Sequence, residues 1–127
     1  KATSHHEVLL VASSAVLGLA VEAQLHSRGY RVVTVKTPID AFEMVIRTRP
    51  DMIIASAVME GVSGIDLARA FGAMITTRDI PFVLLTSFTR SHPELKDLPE
   101  TSALIHHDRD LDAEVSSVLE SSGLLAA

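Results

Sequence analysis

The sequence predicts an α/β fold, a five-stranded parallel sheet doubly wound with about five helices, the fourth of them short or irregular. Three observations carry that expectation. Five short apolar runs rich in β-branched residues, EVLLVA (7–12), YRVVTV (30–35), DMIIAS (51–56), PFVLLT (81–86) and SALIH (102–106), recur along the chain. Four of the five are apolar through most of their length, as strands covered on both faces should be. The stretches between them carry helical periodicity, and strands alternating with such helices make βαβ units that close into a parallel sheet with helices on both faces.

Taken in order, the first strand is followed by a helical pattern over 14–28, with Leu17, Val21 and Leu25 at i+4 spacing and Gly29 where a left-handed cap would close the helix. Thr37, Pro38 and Asp40 open the second helix with a cap residue, a first-turn proline and an acid at the third position. It must stop near Arg49, because Pro50 biases its predecessor away from helical geometry. Ser63 and Asp66 repeat the capping logic for a third helix carrying Leu67, Phe71 and Ile75. In SHPELKDLPE (91–100), Pro93 and Pro99 leave room for about a turn and a half. The last helix begins near Asp110 and buries Leu111, Val115 and Val118 before Gly123.

A chain of 127 residues, 47% hydrophobic, suits one domain with a two-sided core. The expectation is a single domain over 1–127, with a core at 7–121 and frayed or linker-like ends at 1–6 and 122–127. The sequence begins at Lys1, which fits a trimmed start or a piece of a longer chain. No apolar run reaches the roughly 18 residues of a membrane span. No cysteine is present, so disulfides, thiolate metal sites and thiol nucleophiles are excluded, and a cytoplasmic setting fits. A net charge of −5 with scattered Lys and Arg, no Trp and one Tyr argue against nucleic-acid binding.

In this order the segments resemble the receiver domain of two-component response regulators (flavodoxin/CheY-like), over roughly 7–121. HSRGYRVVTVKTPIDAFEMVIRTRPDMII resembles the family's first-helix end through third strand, MEGVSGIDLARAF its loop and third helix, TTRDIPFVLLTS its approach to the fourth strand and the hydroxyl at its end, and ALIHHDRDLDAEV its fifth strand and last helix. The resemblance fails at the charged positions. Where the family's third strand ends on the phosphoacceptor aspartate stands Ser56; where an acidic pair holds Mg2+ stand Ala12 and Ser13; where a lysine and a cis-forming proline follow the fifth strand stand His107 and Asp108. Thr86 matches the retained hydroxyl. Ile105 stands where the family often carries a Tyr or Phe that changes rotamer, and a β-branched residue cannot swing a ring.

Phosphoryl transfer to a receiver needs a carboxylate ionised at neutral pH and a metal beside it. Serine is protonated there, and neither Ala12 nor Ser13 is a base. A lysine left without its acids would be an unpaired buried ammonium, whereas His107 can go neutral. Sequence and resemblance together imply a degenerate receiver, not an enzyme and without a cofactor, that acts independently of phosphorylation as a protein-interaction module within a two-component or related regulatory protein. Its partners would be another protein, other domains of the same chain or a second copy. The alternative is a small-ligand sensor using the vacated crevice. Ser56 is expected to hydrogen-bond locally; a Ser56–His107 nucleophile and base pair lacks an orienting acid. Glu60 as a weak cation ligand, and His106, His107 and Asp108 as a zinc cluster, are the lesser readings. His5 and His6 are expected to be solvated at the opposite end of the sheet. The expected working face joins the 92–99 segment, the fifth strand and the last helix, with Lys96, Ile105 and Arg109 as contact residues. A first-helix face with Glu22 and Gln24 exposed is the next candidate.

Overall fold

The computed structural model describes residues 6–59 and 61–122. Five strands, β1 (Glu7–Val11), β2 (Arg31–Val35), β3 (Met52–Ser56), β4 (Phe82–Thr86) and β5 (Ala103–His106), alternate with four α-helices, α1 (Ala15–His26), α2 (Pro38–Thr48), α3 (Gly64–Ala73) and α4 (Leu111–Ser122). In place of a further helix a single 3-10 turn spans Pro93–Leu95. The expected short fourth helix is therefore present in its most reduced form. The strands are all parallel in the order β2-β1-β3-β4-β5. The terminal segments expected to fray lie largely outside the described residues, as do His5, Glu60 and Gly123.

Alternation along each strand splits the core into two layers. Val8, Leu10, Met52, Ile54, Leu85 and Ile105 face α1 and α4, where Val21, Leu25, Val115, Val118 and Leu119 meet them. Leu9, Val11, Ile53, Ala55 and Leu84 face α2 and α3, against Ala41, Val45, Leu67 and Phe71. Both faces of the sheet are thus covered, which explains the near-continuous apolar runs of β1, β3 and β4.

The helix signals read from the sequence are present as bonds. The Thr37 hydroxyl accepts from the Asp40 amide at 3.2 Å, and the Ser63 hydroxyl from the Asp66 amide at 3.1 Å. Arg49 caps α2 in the left-handed region at φ 49°, immediately before Pro50. Gly29, at φ 86°, turns the chain from α1 into β2. One helical assignment is corrected. Ile75, expected on the buried face of the third helix, lies beyond its end and is 78% exposed. The reason is local: the buried Thr77 hydroxyl donates to the Phe71 carbonyl at 2.6 Å, closing the helix C-terminus with a side chain in place of another turn.

Candidate functional site

With strand order 2-1-3-4-5, the direction of winding reverses between β1 and β3, and the crevice outside the carboxyl ends of those strands is where such sheets place their chemistry. A crevice of about 300 Å³ lies there. Its walls are Ser13, Ser14 and Leu17 from the start of α1, Ser56, Ala57 and Val58 from the end of β3, Leu85, Thr86, Ser87 and Phe88 from β4 and its loop, and His107 after β5. Four of the five residues singled out for the pocket, Ser13, Ser56, Thr86 and His107, therefore come together. The fifth does not. Ala12 is 3% exposed and packs beneath α1 in the apolar layer, because β1 alternation turns it the same way as Val8 and Leu10.

Ser56 differs from its expected local bonding. It is 6% exposed, and its Oγ is buried with no hydrogen-bond partner among the described residues. On β3 it shares the parity of Ile54, so its side chain lies on the α1 side of the sheet. A buried hydroxyl left unpaired costs about 1–3 kcal/mol. The Ser56 main chain is equally constrained. The Gly64 amide donates to the Ala57 carbonyl at 3.0 Å, bringing the first residue of α3 hard against the end of β3.

Thr86 Oγ1 accepts from the Phe88 amide at 3.0 Å and so turns the loop after β4, as expected for a strand-end hydroxyl. His107 is exposed on the crevice wall, with its amide bonded to the Thr86 carbonyl at 3.2 Å. The His107–Asp108 peptide is trans. His106, one residue earlier, points to the other side and is held by three contacts. Its amide and Nδ1 each lie 2.8 Å from Glu114 Oε1, and its Nε2 lies 3.1 Å from the Phe88 carbonyl. Burial alone would raise the Glu114 carboxyl, but the His106 amide and ring and the Arg109 charge outweigh it and hold it below the ordinary value.

Among the described residues no carboxylate lines the crevice, and hydroxyls with one imidazole do not fit Mg2+, which takes oxygen ligands that usually include a carboxylate. No group of three His, Asp or Glu side chains among the described residues is arranged to hold a metal ion. His6, expected to be solvated, instead stacks on Tyr30 with ring centroids 5.9 Å apart and lies 3.8 Å from Asp51.

On the expected working face, Lys96 and Arg109 are exposed. Ile105 is not: it is wholly buried against α4, since strand alternation points it inward while Leu104 and His106 take the opposite side. It therefore cannot contact a partner. Glu22 and Gln24 are not free either. Glu22 accepts from the Thr34 hydroxyl, and Gln24 Oε1 receives Arg28 at 2.8 Å. Sequence reasoning missed Arg28, whose guanidinium also reaches Asp112 and, at 2.8 Å, the Ser116 hydroxyl, joining α1 to α4 across the chain. It also missed Glu114. An acid in the first turns of the last helix, eight residues after a strand-end histidine, is the only sequence signal for that pair.

No protein-family model matches the chain. Solved structures do. The chemotaxis response regulator CheY4 of Vibrio cholerae superposes with a TM-score of 0.80 at 21% identity, covering 94% of this chain and 99% of that one. The signal receiver domain of a signal transduction histidine kinase from Syntrophus aciditrophicus gives 0.81 at 26% identity, covering 93% and 90%. The receiver domain of a Pseudomonas aeruginosa sensor histidine kinase, with a magnesium ion in its active site cleft, gives 0.79 at 23%, covering 94% and 99%. Among curated proteins, the phosphate regulon transcriptional regulatory protein PhoB of Pseudomonas aeruginosa is 29% identical over 80 residues, and the transcriptional regulatory protein AfsQ1 of Streptomyces coelicolor 28% over 80. Each match covers 63% of this chain and about a third of the regulator, 35% and 34% respectively.

Proposed function

Given that the chain has the receiver-domain fold of response regulators, we propose that it works without phosphorylation, as a protein-interaction module of a larger regulatory protein. The observation that carries this reading is the crevice wall, where hydroxyls and one imidazole stand and no carboxylate lies among the described residues. An acyl phosphate forms only on a carboxylate, and the transferring phosphoryl oxygens need a cation to neutralise them. Ser56 offers a protonated hydroxyl, and no base bonds to it. A working surface is then the remaining means of signalling. The segment from the 3-10 turn through β5 to α4 suits it: β5 is an edge strand, and Lys96, Asp97, Asp108, Arg109 and Asp112 form an exposed polar rim able to set orientation.

The test is incubation with acetyl phosphate or a phosphorylated kinase in Mg2+, followed by mass spectrometry of the 50–64 peptide. The expected result is no base-labile phosphate, and none in Ser56→Asp either, since positions 12 and 13 still supply no acid. A labile mass increase on that peptide of the parent chain overturns the proposal.

A further inference from the structure

We propose that the outer face of α2 is a self-complementary contact on which two copies of this chain pair antiparallel about a two-fold axis. This goes beyond the docking reading, uses a different face and does not depend on it. The first support is a pair of isoleucines, Ile39 at 76% and Ile46 at 75% exposure, in a helix whose Ala41 and Val45 are buried against the sheet. Positions seven apart drift by only about 20° around a helix, so both stand on one outward line. Large aliphatic side chains grouped on one outer line, rather than scattered singly, point to a contact surface. The second support is the charge beside each of them. Asp40 follows Ile39 and Arg47 follows Ile46, so the two charges share the heptad spacing and have opposite signs. Both are exposed, and neither has an ion-pair partner among the described residues.

A two-fold contact brings residue i of one copy to residue j of the other, and j to i. In an antiparallel pair centred between Phe42 and Glu43, Ile39 meets Ile46 of the second copy, and the flank beside them sets Asp40 against Arg47 in both directions. The helix macrodipole favours an acid in the first turn and a base in the last, but it gives no reason for an exposed isoleucine beside each. A cavity of about 160 Å³ opens beside Ile46, walled by Val45, Arg49, Thr76, Thr77 and Ile80. It has room for one aliphatic side chain, and the antiparallel pairing aims Ile39 of the second copy at it. An unrelated partner would need no such match between the two ends of one helix, so the pattern selects a second copy. With 11 residues, α2 offers roughly 16 Å of helix, so the contact is at the small end of the interface range and the association is weak and reversible. Glu43, exposed between the two isoleucines, meets its own copy near the axis and opposes the contact.

The experiment is sedimentation equilibrium of the chain over a concentration series, with the ¹⁵N amide shifts followed on dilution and folding checked by circular dichroism. Concentration-dependent dimerisation with shifts along 39–49 is expected. Ile39→Ser combined with Ile46→Ser should abolish it, and because both side chains are exposed the fold is kept. Asp40→Arg and Arg47→Asp should each weaken it by at least about threefold, since each change spoils two pairs per dimer. The exchange Asp40→Arg/Arg47→Asp should recover to within about twofold of the parent chain. Loss of helix stability alone would instead make the exchange worse than either single change. Glu43→Gln should tighten the dimer. In the Lys96→Glu/Arg109→Glu chain the α2 contact should persist, which separates this proposal from the docking reading. A chain that stays monomeric throughout, leaving the stripe to a different protein, overturns the proposal. So does association unchanged in the folded isoleucine variant, weakened in Glu43→Gln, no better in the exchange than in the single changes, or abolished with Lys96 and Arg109.

Discussion

A Cβ placed on Gly64 would lie 2.1 Å from the carbonyl oxygen of Ser56 and 2.8 Å from a methyl of Leu84. The first residue of α3 therefore packs directly on the end of β3, and it sets how close the third helix stands to the crevice.

Gly64→Ala should consequently force α3 away from the sheet and cost about 1–3 kcal/mol, the usual penalty for overpacking against backbone. At Gly72, in the same helix, a Cβ would meet nothing within 4 Å. Gly72→Ala should be neutral or stabilising by up to about 1 kcal/mol. Urea denaturation of both variants decides it; equal effects would refute the close approach.

Arg28 bonds to Gln24, Asp112 and Ser116 with a side chain only 17% exposed. Arg28→Ala should lower stability by about 1–3 kcal/mol, as expected for hydrogen bonds to a charged group. Arg28→Lys should recover less than half, because an ammonium cannot reproduce the planar fork. Full recovery by lysine in denaturant titrations would show that charge alone matters there.

The Glu114 carboxyl is held below its ordinary value of 4.5 by the His106 amide and ring and by Arg109, against the opposing effect of burial. A depressed folded-state pKa contributes stability that is present above the ordinary value and disappears as the pH falls through the folded one. Glu114→Gln should therefore lower the thermal midpoint by a few degrees at neutral pH, with the gap to the parent chain closing below pH 4.5. A gap that persists unchanged in acid would assign the effect to packing.

Charge reversal at both Lys96 and Arg109 should weaken partner or self association measured by sedimentation. The thermal midpoint should fall by no more than a few degrees, since both side chains are exposed. The contrasting variant changes Val16 and Leu19 on α1, which are 82% and 64% exposed, to Ser. Association that survives the first change and is lost in the second moves the docking face to α1.

The order of strands and helices, the caps at Thr37 and Ser63 and the stop at Arg49 were all legible in the sequence, because each depends on residues within a few positions of one another. The convergence of Ser13, Ser56, Thr86 and His107 followed from strand ends that a parallel sheet must align. What the sequence could not decide is which way a strand-end residue points and what it meets there. Ala12 and Ile105 turned inward, His106 rather than His107 found Glu114, and Gln24 was taken up by Arg28. Ser56 Oγ was left without a partner among the described residues. Arg28 and Gln24 are four residues apart, and His106 and Glu114 eight, yet the choice among the possible partners fell to the packed structure. The burial of Ala12, Ile105 and Ser56 depends on helices settling against both faces of the sheet, contacts between segments far apart in the chain.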